Sequence, residues 1–394
     1  MQSEERAFQL VETQKALDDF YRDNEQTQWM AFDTEFVGEK RFVTRLCLIQ
    51  AATEKGNYLI DPFAIPDISP FLNLVQNPDC IKITHAGDND YRLLYTLYGI
   101  TPRNVFDTQI AAGFAGYKHP VAFRKLVEQE LGRSLDKGYA VTDWEARPFH
   151  KKQLAYALDD VLPLYPIWQR LQERLRKRDR FHWLEEECLQ LENAASYIKD
   201  HEQELLNSNL MKSLRPKERL FFLRLMTWRR DLAEKKNYSK EMILPERYLA
   251  VLARGIASGK EALLHNRRVP DKMIEQHGSL FESFYRQEAT DAERILLAQV
   301  VSQEDSEDPR EEILLEMLYL LVRHKCLEND ISVGMVMPKN LLRRLKADED
   351  AGSMIKGWRK ELLGEELTTW LLRINDLELH VEGGRIGLVV KNQK

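Results

Sequence analysis

The chain has 394 residues, which is enough for about two to four domains of ordinary size. Its hydrophobic content of 43% and charged content of 30% are typical of a soluble globular protein, and the net charge of −6 does not by itself suggest a nucleic-acid-binding protein. The four cysteines are far apart and form no C-x-x-C pair, which argues against a disulfide framework or a zinc site and favours a reducing compartment.

The sequence gives no reason to expect export or a membrane span. No charged segment followed by an apolar run opens the chain, and the most apolar later run, 313–322, is interrupted by Glu316 and too short to cross a bilayer. We therefore expect a cytoplasmic protein with no membrane partner. The sequence leaves the oligomeric state open.

The N-terminal part predicts strands followed by interleaved strands and helices. A short amphipathic helix is expected within 4–25, and the strands predicted next, at 29–36, 42–52 and 57–61, indicate an antiparallel meander. Further on we predict a helix at 71–76, a buried strand at 81–84, a helix at 88–98 ended by Gly99, a short strand beginning at 105–106, a helix at 121–131 stopped by Gly132 and one long helix at 151–177. This order predicts an α/β fold with a mixed sheet covered by helices, as in the RNase H-like fold.

Beyond about residue 178 the pattern is almost entirely helical. Residues 212–270 carry 15 Lys and Arg against 6 Asp and Glu. Such a stretch permits a surface that binds phosphate groups, although lysine-rich helices are also common without that role. Near the end, 378–382 and 385–390 alternate around Gly383-Gly384, which predicts a β-hairpin with a two-residue turn.

Two carboxylates stand out in the first predicted strand. Because side chains alternate along a strand, Asp33 and Glu35 point to the same face of an otherwise apolar segment. Burying two like charges together is costly, and a hard divalent cation such as Mg²⁺ or Mn²⁺ removes that cost. Taken alone, the pair favours an exposed acidic face on an edge strand over a metal site, because an Asp-x-Glu pattern is common.

Further acidic residues lie in two predicted helices. Asp90 lies in the first turn of a helix, where an acidic residue is also favoured by the helix dipole. Tyr156 and Asp160 are four residues apart in the long helix and therefore share one face. A phenol and a carboxylate aimed at the same point suit a site in which the carboxylate binds an ion and the hydroxyl orients a water molecule.

Five segments in this order carry a family resemblance: FDTEF (32–36), HAGDNDYRLL (85–94), FDTQIAAGF (106–114), TDWEARPF (142–149) and YALDDV (156–161). They resemble bacterial ribonuclease D, one of the DEDD 3′–5′ exonucleases of the tyrosine-containing branch, over about residues 28–178. The resemblance implies a metal-dependent exoribonuclease that releases nucleoside 5′-monophosphates. It also implies tRNA precursors with 3′ extensions as the RNA partner.

The resemblance also implies a domain organisation. Residues 1–178 are expected to form the exonuclease domain and 179–212 a helical connector. Residues 213–290 are expected to form an HRDC domain, a small helical bundle that helps to hold RNA. Residues 291–394 are expected to form a second HRDC-like helical domain ending in the β-hairpin.

The four acidic residues can hold two divalent cations, Mg²⁺ or Mn²⁺, about 3.5–4 Å apart, which is the arrangement of two-metal phosphoryl transfer. We assign Asp33 to bridge both ions, Glu35 and Asp160 to the ion on the side of the nucleophile, and Asp90 to the other ion. Tyr156 is expected to orient the attacking water, because an unperturbed pKa of about 10 makes a phenol a poor general base at neutral pH.

Substrate contacts are implied for five further residues. Phe36 would stack on the terminal base, His85 would contact the terminal nucleotide or a phosphate, and Asp107 would support the site. Trp144 and Arg147 would steer the 3′ strand by stacking and charge. Four of the five have an ordinary structural alternative: core packing for Phe36 and Trp144, helix capping for Asp107 and a hydrogen-bonded histidine for His85.

Two other functions fit the same residues. A DNA 3′–5′ exonuclease uses the same carboxylates, and a non-catalytic RNA-binding scaffold would keep the fold without the reaction. The presence of Asp33, Glu35, Asp90, Tyr156 and Asp160 together argues against the scaffold. The basic helical stretch and the flanking segments favour RNA over DNA.

Overall fold

The structure is a computed structural model that describes residues 7–135, 142–198, 200–266, 268–300, 309–338, 341, 355–372, 377–382 and 385–390. The chain divides into two compact units. The first comprises Met1–Glu35, Leu46–Tyr197 and Glu307–Lys394, and the second comprises Phe36–Arg45 and Ile198–Ser306.

The strands are β1 (Gln9–Val11), β2 (Trp29–Val37), β3 (Arg45–Thr53), β4 (Gly56–Ile60), β5 (Ile81–Thr84), β6 (Val105–Asp107), β7 (Leu377–Glu382) and β8 (Arg385–Val390). The α-helices are α1 (Gln14–Asn24), α2 (Ser69–Gln76), α3 (Asp88–Tyr98), α4 (Thr108–Phe114), α5 (Phe123–Leu131), α6 (Lys151–Val161), α7 (Leu164–Lys177), α8 (Phe181–Cys188), α9 (His201–Leu206), α10 (Asn209–Ser213), α11 (Pro216–Lys236), α12 (Lys240–Ile243), α13 (Glu246–Gly255), α14 (Gly259–Leu264), α15 (Asp271–Arg286), α16 (Asp291–Leu297), α17 (Pro309–Glu328), α18 (Val333–Val336) and α19 (Trp358–Leu372).

The first unit is built on a six-stranded sheet with the order β1-β4-β3-β2-β5-β6. β3 and β4 pair antiparallel, whereas β1 pairs parallel with β4, β2 with β5 and β5 with β6. The predicted mixed sheet covered by helices is therefore confirmed, and β2 lies in its interior. The helix predicted at 88–98 is also confirmed, with Gly99 at its end in the left-handed conformation (φ 71°) that glycine adopts without strain.

Two predicted elements are wrong in detail. Residues 9–11 form β1, so the N-terminal helix begins only after Thr13, whose hydroxyl accepts a hydrogen bond from the amide of Ala16. Here pairing with β4 overrides the helical spacing of the apolar residues. The single helix predicted at 151–177 is two helices, because Pro163 separates α6 from α7 and a proline has no backbone N–H for an intrahelical bond.

The sheet has two buried faces. On one face, Met30 and Phe32 of β2 pack in a cluster with residues of α1, α2 and α3, among them Phe71 and Tyr91. On the other face, Ala31, Ala52 and Ile83 pack against Val161 and Leu164 of α6 and α7. The residues of β2 that share a face with Ala31 therefore point toward the layer that contains α6.

The helices α17, α18 and α19 share a hydrophobic core with α4 and α8 in the first unit. The Trp358 ring packs against Phe114 with ring centroids 4.7 Å apart, and the Trp358 backbone and indole N–H groups donate to Glu186 and Glu187, at 2.9 and 2.8 Å. Arg359 forms an ion pair with Glu187 at 3.0 Å. The proposal of a second HRDC-like domain at 291–394 stays a prediction.

The second unit is built mainly of helices over its described residues after Ile198, and its other segment, Phe36–Arg45, contains the end of β2 and the first residue of β3. Phe221 and Phe281 lie at the centre of a cluster formed by residues of helices from α9 to α15. Arg224 joins α11 to α16 through two hydrogen bonds to Glu293, at 2.7 and 2.8 Å. In the first unit, β7 and β8 pair antiparallel, which confirms the predicted hairpin; its turn, Gly383-Gly384, lies outside the described residues. None of the helices in the described ranges has both the length and the apolar character that crossing a membrane requires.

Candidate active site

Three carboxylates converge where β2 faces α6. One oxygen each from Asp33, Glu35 and Asp160 lie within 4.8 Å of one another. Asp33 and Glu35 share the face of β2 that also carries Ala31, and Asp160 directly precedes Val161, which packs against Ala31. The structure thus brings together three of the four carboxylates that the sequence predicts as metal ligands. Oxygen ligands from carboxylates are those that Mg²⁺ and Mn²⁺ prefer.

The fourth carboxylate, Asp90, lies beside this group of three rather than within it. Asp90 is buried in the first turn of α3, and its carboxylate accepts a hydrogen bond from the hydroxyl of Thr34. The backbone amide of Thr34 also favours the ionised forms of both Asp33 and Asp90. Thr34 therefore links the carboxylate on α3 to the pair on β2.

Burial raises the pKa of all four carboxyl groups, and the charges of neighbouring members of the four add to the increase at Asp33 and Glu35. Burial is the largest cause in each case, and it raises the pKa of Glu35 to about 8, of Asp160 to about 7 and of Asp90 to about 6. The pKa of Asp33 lies well above its usual value, first because its surroundings desolvate the carboxyl group and then because it faces the charges of the other three. Without a cation, the site therefore retains protons near neutral pH, and a bound divalent cation would favour the ionised forms.

Tyr156 is one helical turn before Asp160, and its hydroxyl donates a hydrogen bond to the Asp160 carboxylate. Burial and the neighbouring carboxylates raise the pKa of Tyr156 above the ordinary phenol value. The hydroxyl therefore keeps its proton at neutral pH. In this form Tyr156 can donate and accept hydrogen bonds, and its expected role in orienting water stays a prediction.

Arg147 anchors the segment that precedes α6. Its guanidinium donates to both carboxylate oxygens of the buried Asp61, at 2.5 and 2.7 Å, and to the backbone oxygens of Cys47 and Trp144, at 2.8 and 2.7 Å. It also stacks over Phe149, with 3.8 Å between the guanidinium carbon and the ring centroid. The structure therefore gives Arg147 a full set of protein partners.

Trp144 is buried, and its ring centroid is 6.2 Å from that of Tyr156. Its position beside the tyrosine supports the orientation of the first turns of α6. His150 caps this helix: its ring accepts from the amide of Lys152, and its own amide donates to the side chain of Gln153. Packing and capping together fix the part of α6 from which Tyr156 and Asp160 project.

The remaining predicted contact residues are spread around the site. Both ring nitrogens of His85 have partners, the Thr108 hydroxyl at 2.9 Å and the Val121 oxygen at 3.0 Å. Asp107 caps α4 and accepts from the amide of Gly87 at 2.8 Å, which fixes the turn before α3 and hence Asp90. Phe36 is 39% exposed. The substrate roles of these residues, of Trp144 and of Arg147 stay predictions.

Sequence reasoning missed Thr34. A signal was available, because Thr34 is a polar residue at a position of β2 where its neighbours on the same face, Met30 and Phe32, are apolar. A polar side chain on a buried apolar face usually has a hydrogen-bond partner, and here the partner is the carboxylate of Asp90.

Comparison with known proteins places this arrangement in a family. Residues 8–176 match the family model described as 3′-5′ exonuclease. A ribonuclease D of Gluconacetobacter diazotrophicus is 30% identical over 368 residues, which cover 91% of this chain and 91% of that protein. The chain belongs to the ribonuclease D family. A ribonuclease D of Sphingobium indicum is 36% identical over 247 residues, or 62% of this chain and 63% of the relative.

Solved structures agree on the fold. The crystal structure of Escherichia coli RNase D superposes with a TM-score of 0.78 at 24% sequence identity and covers 94% of this chain and 99% of its own. The predicted RNase H-like exonuclease fold and the predicted enzyme class, a hydrolytic 3′–5′ exoribonuclease, are both confirmed. The DEDD exonucleases generally use divalent metal ions, and the acidic group of Asp33, Glu35 and Asp160 is of the kind that holds them.

Proposed function

We propose that this ribonuclease D-family protein trims RNA from the 3′ end and releases nucleoside 5′-monophosphates, using two divalent cations held by Asp33, Glu35, Asp90 and Asp160. The proposal rests on one observation. The Tyr156 hydroxyl is hydrogen-bonded to Asp160, one of three carboxylates whose oxygens lie within 4.8 Å of one another. Four acidic groups in so small a volume are costly without a counterion, which supports a cation site rather than a structural role.

The donor set fits hard divalent cations. Every candidate ligand is a carboxylate oxygen, and the metal-binding group contains neither the thiolate nor the imidazole ligands that select softer metals. When bound, the cations would lower the pKa of the attacking water and stabilise the charge on the leaving oxygen. Mg²⁺ and Mn²⁺ are the two ions we propose.

The protein's own contribution is to position these groups. Thr34 holds Asp90 through its hydroxyl, and Asp160 holds the hydroxyl of Tyr156. Because the pKa of Tyr156 is raised, its hydroxyl remains protonated and orients the attacking water by hydrogen bonding rather than by removing a proton. A site on a strand and a capped helix places these groups more rigidly than loops would.

We further propose that the substrate is RNA with a structured body and a single-stranded 3′ end, such as a tRNA precursor. The E. coli RNase D that shares the fold is described as an exoribonuclease involved in structured RNA processing. The excess of basic residues over 212–270 supports binding of an extended phosphate backbone. A DNA 3′–5′ exonuclease remains the second candidate, since the carboxylates do not distinguish the two backbones.

The test uses a tRNA carrying a short 3′ extension, with a labelled phosphate before the terminal nucleotide. It is run beside an unstructured RNA and a DNA strand of the same 3′ sequence, each with Mg²⁺, Mn²⁺ or EDTA. We expect labelled nucleoside 5′-monophosphate from both RNAs with either metal and none with EDTA. Equal rates on DNA and RNA would contradict the RNA assignment, and equal rates on both RNAs would contradict the preference for structured RNA.

Two neighbouring residues of α6 supply a matched control. Asp160→Asn removes a member of the acidic group and is expected to lower the rate by at least about 100-fold. Asp159→Asn removes the same charge from the adjacent position and is expected to retain most of the activity. Equal losses in the two variants would show that the acidic group is not the reaction centre.

A further inference from the structure

Gln50 is a buried amide without a visible structural purpose. Its side chain is fully buried, and neither Nε2 nor Oε1 has a hydrogen-bond partner among the residues that the structure describes. A buried polar group without a hydrogen-bond partner destabilises the folded protein. An apolar side chain of the same size would avoid this destabilisation. The presence of an amide therefore indicates that Gln50 has a hydrogen-bond partner in the working state of the protein.

The strand pairing shows which face Gln50 occupies. Ile49 is paired with Ile60 and Ala51 with Tyr58, and all four belong to the cluster on the α1–α3 side of the sheet. Because successive side chains alternate, Gln50 points to the opposite face, which is the face toward α6.

On that face Gln50 lies on the strand adjacent to the one that carries Asp33. Strands β2 and β3 are adjacent, and only residues 38–44 connect them, too few for a parallel crossover, so the two strands run antiparallel. Ala31 and Ala52 pack in one cluster. Asp33 is two residues after Ala31 on β2, and Gln50 is two residues before Ala52 on β3. Because the strands run antiparallel, both steps lead in the same direction along the sheet, so Asp33 and Gln50 are displaced to the same side of the two alanines.

The helix that packs on this face of the sheet, α6, carries a small residue one turn from Val161. Ala157 of α6 lies one turn before Val161, is fully buried and presents only a methyl group. Gln50 itself is wholly buried, whereas Asp33 is partly exposed. Gln50 therefore has no direct access to a substrate and can reach the reaction only through a group such as Asp33.

We propose that Gln50 is a positioning residue for Asp33, whose ionised carboxylate accepts a hydrogen bond from Nε2 of Gln50 when the site holds divalent cations. This inference rests on the proposed metal-dependent function. Carboxylates that bind metal ions are commonly hydrogen-bonded by a second side chain that fixes their orientation. The Asp33 carboxylate already interacts with the backbone amide of Thr34, and Gln50 supplies a side-chain donor from the adjacent strand.

The test is Gln50→Met, which keeps the length of the side chain and removes its polar atoms. Thermal unfolding in EDTA is expected to show a protein as stable as the wild type or more stable. Mn²⁺ binding, measured with the metal alone by the signal of free Mn²⁺, is expected to weaken by about 10-fold or more. At saturating Mn²⁺, kcat on RNA is expected to fall while KM for RNA changes little.

Ile49→Val is the matched control, because it perturbs the packing of the same strand on the opposite face. It is expected to lower the unfolding temperature and to leave Mn²⁺ binding unchanged. Gln50→Met with wild-type Mn²⁺ affinity and activity would overturn the inference. Failure of both Gln50→Met and Gln50→Leu to fold would also overturn it, since the amide would then have a structural partner. A wild type that neither binds Mn²⁺ nor releases nucleotides would refute the proposed function instead.

Discussion

Replacing Glu35 by glutamine removes one carboxylate from the acidic group while keeping its size. The pKa of Glu35 is raised from 4.5 to about 8, first by burial and then by the charges of Asp160 and Asp90. An acid whose pKa is higher in the folded state contributes stability at low pH and loses it as the pH rises through the folded pKa. The metal-free wild type should therefore become less stable as the pH rises from about 4.5 to 8, and Glu35→Gln should lose less stability over the same pH range.

The size of the effect follows from the shift. About 3.5 pH units at about 1.36 kcal/mol per unit set an upper limit of about 5 kcal/mol. Glu35 is partly exposed, so solvent screening reduces this figure by roughly half, and burying the replacement amide costs a further ~1 kcal/mol. We expect Glu35→Gln to be about 1–2 kcal/mol more stable than the wild type at pH 8.5 and about 1 kcal/mol less stable near pH 4, where only the cost of the amide remains.

Urea unfolding in EDTA at pH 4, 6 and 8.5 measures this difference, with the exposed Glu12→Gln as a control that should stay within about 0.5 kcal/mol of the wild type at every pH. Added Mn²⁺ should reverse the order, because a ligand at 100 times its Kd stabilises its protein by about 2.7 kcal/mol. A Glu35→Gln variant that is less stable than the wild type at pH 8.5 in EDTA would show that burial and the neighbouring charges do not destabilise the ionised Glu35 carboxylate.

Three further substitutions separate the roles of the other residues. Asp33→Asn is expected to abolish nucleotide release while the metal-free protein unfolds at or above the wild-type temperature; an unfolded variant would contradict this. Tyr156→Phe should lower kcat by about 100-fold with unchanged Mn²⁺ affinity, because the hydroxyl orients water and binds no cation, and a weakened Mn²⁺ affinity would argue for a ligand role. Arg147→Ala should lower the free energy of unfolding in urea by about 3–5 kcal/mol, because it leaves the buried Asp61 without its partner. A decrease below about 1 kcal/mol would show that the ion pair is not structural and would favour a role for Arg147 in substrate binding.

The local periodicity of the sequence predicts which of the site residues share a face of a strand or helix. The period of two along β2 places Asp33 and Glu35 on one face, and the period of 3.6 along α6 places Tyr156 and Asp160 on another. Both statements depend only on neighbouring residues, and both hold in the structure. The apolar residues beside them then decide which faces meet, since Ala31 and Val161 pack together.

Long-range partners could not be predicted in this way. The family resemblance implies that Arg147 steers the substrate strand by its charge, but the main protein partner of Arg147 is Asp61, which is 86 residues away in the sequence. The same holds for β1, where pairing with β4 rather than the spacing of apolar residues decides the conformation. Single-sequence periodicity contains no information on which distant strand or carboxylate will be adjacent.

The long-range hydrogen bond between Thr34 and Asp90 makes the pKa of Asp90 differ from those of the other three carboxyl groups. The hydrogen bonds from Thr34 oppose the effect of burial and leave the pKa of Asp90 at about 6, below those of Asp160 and Glu35 at about 7 and about 8. At neutral pH, Asp90 is therefore mostly ionised without any cation, whereas Glu35 needs one to release its proton. Thr34, on the strand that carries Asp33, thus keeps the Asp90 carboxylate charged and in place. The other carboxylates have higher pKa values and are the groups that release protons when a cation binds.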